Sequence, residues 1–599
     1  MTSTHSSQKE ARHDLRKLLT WTGDRMDLAI PDGVLPAFLI EAYNRIAGGG
    51  PIQIDTLCTP ERSDRLQVLE DEQYAGIELI WLILGLIHHR CNRRTEALRW
   101  YRKVAARTAH PLVYQEMADV SQGLHQYSQA LEYRRQALAL APDCLPIRRQ
   151  CVIDLALTGR VTEAVEDMES LLRHETVTPL FHTSYLWYLH LLPDIDQARL
   201  FEAHKAWGAR HAPVQKTTER EGLDLDPDRP LRVGYLSADF RQHSALYLIE
   251  SILDGGMGDS FEILGYGNVA HPDRATARLK GKFGRYRDIW GMSDQEVTAQ
   301  IRRDGIDILV AFAGHTDGHR LGVLAHRPAP IQVDYGGICS SGMVQMDYRI
   351  TDAIMDPPDI ADCYVERSIV FPQGFQYYRP PDVTPPVGPL PASSNGYVTF
   401  GVFNNRLKMN GKVFPLWHQI LQQLPDAKLV LKFPGGSDEV FVEELIREMA
   451  AAGIERDRVT VYPLIPFTDH LTLYNSIDIA LDTYPFNGCV TTQEGLWMGV
   501  PVVTLSGQRF TSHYGHTLLK RLGLEFFVST SGEQYVAKAV TLARQTESLA
   551  RIRAGLRTRM LNSPMMDYAE CARQLERTYR QMWRDYCRKK GRDQGQPTP

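Results

Sequence analysis

The sequence lacks long hydrophobic runs and paired cysteines. Its longest apolar stretch, residues 79–87, contains Gly85 and is far shorter than the ~20 residues of a membrane-spanning helix. The nine cysteines are scattered, odd in number and without a C-x-x-C pair. This usage argues against a disulfide framework and structural zinc, and it predicts a protein of the reducing cytoplasm. Residues 1–9 are polar, so no secretory signal is expected.

A strong excess of one charge is also absent. The formal net charge is −5, so no global basic field would recruit nucleic acid or an anionic membrane. Hydrophobic residues make up 43% and charged residues 23% of the chain, as in ordinary globular proteins. With 599 residues the chain is too long for one core and predicts two to four domains. Partners must therefore be recognised at local sites.

A helical pattern repeats in the first third of the chain. Three pairs mark it: Ala97-Leu98, Ala130-Leu131 and Ala164-Val165. They stand 33 and 34 residues apart, the period of tetratricopeptide repeats, and small Ala side chains let paired helices approach closely. We predict an all-α domain of such repeats over residues 1–211, clearest at 79–174. A repeat array of this kind typically binds a polypeptide, and a plain packing module is the alternative.

Two linker-like segments divide the remainder. Residues 212–230 are polar and acidic, and residues 386–396 are rich in Pro. Short β-branched runs alternate with amphipathic helices in residues 231–385 and again in 397–587. This alternation predicts a parallel sheet with helices on both faces in each half. The tail, 588–599, is basic and then rich in Gly, Gln and Pro, which predicts disorder.

The strongest chemical signal lies in residues 481–503. An apolar strand gives way to a loop containing Pro and Gly, and a Thr pair then opens a helix. Unpaired N–H groups at that helix start, together with the hydroxyls of Thr491 and Thr492, suit a phosphate. Glu494, one turn later, suits ribose hydroxyls. The spacing by itself leaves open a nucleotide site and an ordinary helix start capped by Thr.

The same stretch resembles the donor-binding loop of the O-GlcNAc transferase family. Pro485 to Gly488, the Thr pair, the acidic residue and the following Leu-Trp-Met-Gly-Val-Pro match the form found in bacterial members. Four further segments are similar to family motifs in the family's order: residues 231–243, 327–332, 346–352 and 400–408. The resemblance covers roughly residues 230 to 585. It places the chain beside bacterial relatives that include adhesin N-glucosyltransferases and flagellin glycosyltransferases.

The resemblance implies a GT-B architecture, in which two Rossmann-like halves face each other with the donor between them. Here the helical repeat domain would precede those halves. Two D-x-D pairs, Asp194/Asp196 and Asp224/Asp226, lie outside the halves. We therefore expect no metal and no other cofactor, and the charge of the leaving diphosphate must be met by the protein.

The resemblance also implies roles for individual side chains. Lys408 matches the family Lys that contacts the donor diphosphate, and Asn405 matches the amide-bearing position beside it. His470 corresponds to the His that helps to place the uracil ring. The predicted donor-binding set is completed by Thr491, Thr492 and Glu494.

Two histidines are candidates for the general base. His243 and His315 lie in segments that match histidine-bearing loops of bacterial relatives. An imidazole with a pKa near neutrality can take a proton from an incoming hydroxyl. We list both with Lys408 as catalytic candidates, and we favour acceptor or sugar positioning for His243. A structural role for either stays open.

One loop departs from the family pattern. After Gln332 the bacterial relatives read W-L-G-Y-P-G-T-T-G, whereas residues 334–342 keep only two glycines and a hydroxyl pair. The residues expected near the sugar and acceptor are Gly336, Ser340, Ser341 and Gly342. Retained diphosphate residues beside an altered loop predict the same transfer chemistry with a changed sugar or acceptor pocket.

These observations predict an inverting, metal-independent protein glycosyltransferase. The donor is expected to be a nucleotide sugar, UDP-linked and carrying a GlcNAc-like or different sugar. The acceptor would be Ser or Thr of a protein held by the repeats, with flagellin as one candidate. An Asn-directed N-glucosyltransferase is an alternative, and a non-catalytic scaffold is a second one that nucleotide binding would discriminate. No nucleic acid and no membrane span is expected among its partners.

Overall fold

A computed structural model describes residues 77–593 except 91, 175, 214–221 and 313. Predictions for the start of the helical domain, for residues 214–221 of the first linker and for residues 594–599 lie outside the described residues. The chain divides into two compact units. The first contains Met1–Leu171, Gly291–Ser293 and Ser437–Phe441. The second contains Leu172–Trp290, Asp294–Gly436 and Val442–Pro599.

The described part of the first unit is helical, and successive helices pack on each other. Its helices are α1 (Ile77–Arg90), α2 (Arg94–Ala105), α3 (Pro111–Gly123), α4 (Tyr127–Leu140), α5 (Leu145–Leu157) and α6 (Val161–Leu171). Ala97, Ala130 and Ala164 are at most 1% exposed, as close helix packing requires. A Cβ on Gly85 would stand 2.4 Å from the Tyr101 ring. The helical repeat region predicted from sequence is thereby confirmed.

Helices α7 (Pro179–Leu189) and α8 (Gln197–His211) form a pair that belongs to the second unit. We placed the end of the helical domain at residue 211, whereas the compact units separate after Leu171. The reason is close packing on the α/β region: a Cβ on Gly208 would lie 1.9 Å from the Gly342 carbonyl oxygen. Helical periodicity gave no sign of this packing because it depends on a distant loop.

The first sheet has seven parallel strands in the order β3-β2-β1-β4-β5-β6-β7. Its strands are β1 (Leu231–Ser237), β2 (Phe261–Gly267), β3 (Arg285–Asp288), β4 (Ile308–Phe312), β5 (Ile331–Tyr335), β6 (Tyr348–Thr351) and β7 (Arg367–Val370). The associated helices are α9 (Leu246–Asp254), α10 (Arg274–Lys280), α11 (Asp294–Asp304) and α12 (Leu321–Ala325). Strands β4 and β5 are buried throughout, as expected of central parallel strands.

The second sheet has six parallel strands in the order β10-β9-β8-β11-β12-β13. Its strands are β8 (Thr399–Val402), β9 (Lys428–Lys432), β10 (Val459–Tyr462), β11 (Ile479–Leu481), β12 (Val502–Leu505) and β13 (Val528–Ser529). The helices are α13 (Ala392–Asn395), α14 (Phe414–Gln423), α15 (Glu439–Ala451), α16 (Phe467–Leu473), α17 (Val490–Trp497), α18 (Tyr514–Arg521), α19 (Gly532–Arg544) and α20 (Thr546–Leu561). Strand order reverses between β8 and β11, which makes their carboxyl ends the expected ligand site. Two parallel sheets confirm the predicted GT-B class.

The last helix, α21 (Tyr568–Asp593), returns to the first sheet. The hydroxyls of Tyr579 and Tyr235 lie 3.3 Å apart, and the Trp583 indole donates to the Asp226 carbonyl at 3.0 Å. Our expectation of disorder from residue 588 is wrong for residues 588–593, which continue this helix. Among the described helices, none combines the length and apolar character required to cross a bilayer.

Candidate functional site

The segment that connects β11 to α17, residues 482–489, is organised by one buried carboxylate. Asp482 is 2% exposed and directly follows β11. It accepts hydrogen bonds from the Gly488 N–H at 2.7 Å, the Thr504 hydroxyl at 2.8 Å and the Asn404 amide at 3.3 Å. Burial raises the pKa of Asp482 to about 6. We call this segment the donor loop, and Asp482 fixes its curvature.

The start of α17 completes this end of the sheet. The Thr491 hydroxyl donates to the Asn404 carbonyl oxygen at 2.5 Å, and the Thr492 hydroxyl donates to the Gly488 carbonyl at 3.1 Å. A Cβ on Gly488 would come within 2.6–2.8 Å of oxygens from these three side chains. Glycine therefore allows the loop, both hydroxyls and the helix N-terminus to converge on one point.

Lys408 brings a positive charge to the donor loop. It ends a short 3-10 turn after β8, and its ammonium donates to the Asn487 carbonyl at 3.0 Å and lies 3.8 Å from the centre of the Phe486 ring. Burial lowers the pKa of Lys408 to about 8, with Asp482 opposing that shift. A cation beside a helix N-terminus forms an anion site.

The two asparagines after β8 have different surroundings. Asn405, which we predicted to bind the donor, is exposed and its side-chain oxygen accepts from the Leu407 N–H at 3.0 Å. Asn404 is 6% exposed and bonds to Asp482 and Thr491. Successive side chains in extended chain point to opposite sides, so only one of them can face the donor loop. A polar residue directly after a buried strand was the available signal for Asn404.

His470 and Glu494 form a buried pair. The His470 Nε2 atom lies 2.9 Å from a Glu494 carboxylate oxygen, and the His470 ring stands 5.3 Å from that of Tyr474. Glu494 also accepts from the Tyr247 hydroxyl at 3.4 Å. Tyr247 lies on α9 of the first half, so this carboxylate connects both halves. Sequence reasoning placed His470 and Glu494 in one site and missed Tyr247.

Lys432 is a second cation that sequence reasoning missed. It is the last residue of β9 and is 7% exposed. Burial lowers the pKa of Lys432, and the Glu494 carboxylate opposes that shift. Its signal in the sequence was a charged residue that directly follows the three apolar residues of the strand.

His243 lies in the loop after β1 and stays accessible. Its side chain is 32% exposed, and its Nδ1 atom lies 3.3 Å from the Asp239 carboxylate. Burial lowers the pKa of His243 while Asp239 raises it. The same Nδ1 atom accepts a hydrogen bond from the Ala245 N–H at 3.3 Å. Nε2 can serve as a base in the tautomer that gives up this bond and carries its proton on Nδ1, toward Asp239.

His315 has a different environment from the one we predicted for a base. It is 4% exposed, its Nε2 atom lies 2.8 Å from the Ser341 carbonyl, and its ring centre stands 4.6 Å from that of Trp207. Burial lowers the pKa of His315 to about 4. The side chain packs between α8 and the loop after β5, where an acceptor hydroxyl has no access.

The loop after β5, residues 336–343, is also turned inward; we call it the β5 loop. Ser340 and Ser341 are at most 2% exposed, and both hydroxyls donate to Glu366. A Cβ on Gly342 would lie 1.9 Å from the His204 carbonyl oxygen. Gly336 adopts a left-handed φ of 93°. The two hydroxyls are therefore engaged within the protein, and a place for this loop near the sugar or acceptor stays a prediction.

Comparison with known proteins agrees with this architecture. Residues 211–377 and 390–575 match the model for glycosyl transferase family 41. The chain belongs to this family. A solved structure of an O-GlcNAc transferase mutant from Thermobaculum terrenum aligns with a TM-score of 0.79 and 32% identity, covering 86% of this chain and 98% of that one.

Curated relatives include plant proteins. A probable UDP-N-acetylglucosamine–peptide N-acetylglucosaminyltransferase SPINDLY from Solanum lycopersicum is 39% identical over 395 residues, which is 65% of this chain and 42% of the relative. The SEC protein of the same description from Arabidopsis thaliana is 28% identical over 409 residues. The chain thus spans about two-fifths of the length of these relatives. The family that we predicted is confirmed, and kinship to adhesin or flagellin enzymes stays a prediction.

Proposed function

We propose that the chain is an inverting, metal-independent protein glycosyltransferase. It moves a sugar from a nucleotide-sugar donor, for which we propose a UDP-sugar, to Ser or Thr of a protein acceptor. The observation that carries this proposal is the Lys408 ammonium, fixed 3.0 Å from the Asn487 carbonyl beside the start of α17. Family membership and the UDP-N-acetylglucosamine donor in the names of the plant relatives support it.

Lys408 would stabilise the departing diphosphate. As the bond from the anomeric carbon to the diphosphate breaks, negative charge grows on the phosphate oxygens. A preorganised cation and helix N–H groups stabilise that charge without a metal ion. The two hydroxyls of Thr491 and Thr492 would give further contacts to the same group.

His243 would act on the acceptor. The acceptor oxygen attacks the anomeric carbon from the face opposite the diphosphate, which inverts that carbon, and its proton passes to His243 Nε2. Asp239, 3.3 Å from Nδ1, would stabilise the imidazolium that forms. His315 is left out of this scheme because of its burial.

The acceptor is a protein segment, with flagellin among the candidates. The helical repeats would select it, since stacked helix pairs present extended surfaces for polypeptides. The β5 loop lacks the Trp, Tyr and Pro of the bacterial relatives, so we propose a sugar or acceptor pocket different from theirs.

The test has a binding arm and a transfer arm. Binding of a panel of UDP- and GDP-sugars is measured by calorimetry for the wild type, Lys408→Ala and the control Lys412→Ala. Lys412 follows closely in sequence and its ammonium pairs with Asp194 at 2.7 Å. Intact-mass analysis then follows candidate acceptors, flagellin included, incubated with each protein and the bound donor.

We expect a sugar-sized mass increase with the wild type and Lys412→Ala, and about 100- to 1000-fold slower transfer with Lys408→Ala. Fragmentation that places the sugar on Asn would overturn the Ser/Thr assignment. Absence of donor binding and of any mass increase would overturn the enzyme itself and leave a repeat-based binding protein.

A further inference from the structure

Two buried histidines and a buried cysteine meet where the pair α7–α8 packs on the β5 loop. His190 follows α7, His204 lies on α8 and Cys339 lies in the β5 loop. They are 0%, 1% and 2% exposed. The donor loop and the donor-binding residues take no part in this cluster.

The geometry of the cluster is that of a ligand set. The Nε2 atoms of His190 and His204 lie 3.1 Å apart, and one donor atom from each of the three residues falls within 4.8 Å of the others. Tetrahedral zinc, with bonds of about 2.0–2.1 Å to nitrogen and 2.3 Å to sulfur, separates its donors by about 3.4–3.6 Å. The three side chains therefore need to draw together by about 1 Å at most to hold one ion.

The protein leaves these groups incompletely satisfied. Within the described residues, the Nδ1 atom of His190 is buried and has no hydrogen-bond partner. The close contact between two imidazole nitrogens forces one of them to accept from the other. An ion bound between the two Nε2 atoms would let both nitrogens act as ligands and would remove this competition.

The three side chains offer donor atoms of the right kind, two imidazole nitrogens and the sulfur of Cys339, within reach of one ion. The Gln197 amide donates to this sulfur at 3.4 Å, a contact that suits a metal-bound thiolate. Metal binding would release the thiol proton.

We propose that His190, His204 and Cys339 bind a structural Zn²⁺ ion. Two imidazoles and one thiolate are the donor set that zinc prefers, and the fourth position falls to water or a small anion. This ion is separate from the transfer chemistry, for which no metal is needed. The absence of C-x-x-C pairs had argued against structural zinc, but these ligands come from distant segments and make no local motif.

The ion would hold the α7–α8 pair against the catalytic halves. This pair also contacts the second half: the ring centres of Trp187 and Phe486 stand 5.5 Å apart, and Arg509 donates to the Leu192 carbonyl at 2.9 Å. Phe486 is the ring beneath Lys408. Zinc bound by His190 and His204 would therefore stabilise the helical cover of the donor loop.

The first experiment measures metal directly in the full chain. Zinc content is determined by plasma mass spectrometry for the wild type, Cys339→Ser, His204→Gln and the control Cys571→Ser. Cys571 is as buried as Cys339 and lies on α21. We expect about one zinc per chain in the wild type and the control, and at least a fivefold loss in the other two.

A second experiment uses the wild type alone, so it does not depend on how the variants fold. Metal-free protein is titrated with Co²⁺, and a thiolate-to-cobalt absorption band is expected to saturate at about one equivalent. Zinc added to the metal-free protein should raise its Tm. A wild type with neither zinc nor a cobalt band, or a Cys339→Ser variant that keeps its zinc, would overturn the proposal.

Discussion

The donor loop and the β5 loop follow buried parallel strands at the same kind of sheet edge, yet they use their polar groups differently. In the donor loop, Asp482 accepts from the Gly488 N–H. Thr491 and Lys408 donate to neighbouring oxygens but stay partly exposed. In the β5 loop, Ser340 and Ser341 are both consumed by Glu366.

The difference lies in what covers each loop. The β5 loop is closed over by α8, whose Gly208 approaches Gly342, and hydroxyls buried in this way must be paired inside the protein. A hydroxyl next to a strand end is thus no guide to ligand contact until its cover is known.

The largest effect is expected from filling the space at Gly488. In Gly488→Ala the new methyl group would displace the Thr491 and Thr492 hydroxyls and the Asn404 amide, since they would lie within 2.8 Å. Donor affinity should fall about 100-fold, because the displaced hydroxyls would no longer reach the charged diphosphate of the donor. Gly411→Ala, where nothing lies within 4 Å, is the matched control. Equal donor Kd values for the two variants by calorimetry would contradict the assignment of the donor loop.

Removing one hydroxyl beside each loop, in separate variants, tests the contrast between the donor loop and the β5 loop. Thr491→Val should raise the donor Kd about tenfold with little change in urea stability. Ser340→Ala should instead leave the donor Kd unchanged and lower the free energy of unfolding by about 1–3 kcal/mol, because Glu366 loses a buried partner. Donor titrations and urea unfolding of both variants provide the measurement. The comparison fails if Ser340→Ala weakens the donor as much as Thr491→Val does.

Deprotonation of Lys408 should lower the transfer rate at alkaline pH. The pKa of its ammonium is lowered to about 8, so the free enzyme carries the required charge below that pH and loses it above. We expect kcat/KM for the donor to fall toward tenfold per pH unit above about pH 8. In Lys408→Arg the charge persists at higher pH, and the fall should vanish even if the rate is lower. A wild-type profile that stays flat to about pH 10 would argue against this role.

The smallest effect concerns stability in acid and involves His319, which lies between β4 and α12 with its ring 5.9 Å from that of His315. Burial lowers the pKa of His319 to about 3. Between that pH and about 6.5 the unfolded chain binds a proton that the folded chain does not, so stability falls as pH falls through this window. His319→Gln should reduce the slope of unfolding free energy against pH by about 1 kcal/mol per unit. Urea unfolding at several pH values checks this, and identical slopes for variant and wild type would refute it.

The sequence by itself determined the helical repeats, the two α/β halves and the position of the donor loop. Repeat period, strand–helix alternation and the Pro-Phe-Asn-Gly segment are local patterns, and local patterns follow directly from backbone and packing preferences. The roles of Lys408, His470 and Glu494 were inferred from the resemblance to family motifs and stay predictions, and the structure brings His470 and Glu494 within 2.9 Å of each other.

Tertiary structure decided which polar groups are available. It paired Asn404 with Asp482 and Thr491 and left Asn405 exposed. It buried His315 against Trp207 and brought Tyr247 from the first half to Glu494. It also assembled His190, His204 and Cys339 from three distant segments. Burial and pairing depend on contacts between residues far apart in the chain, and no local pattern encodes them.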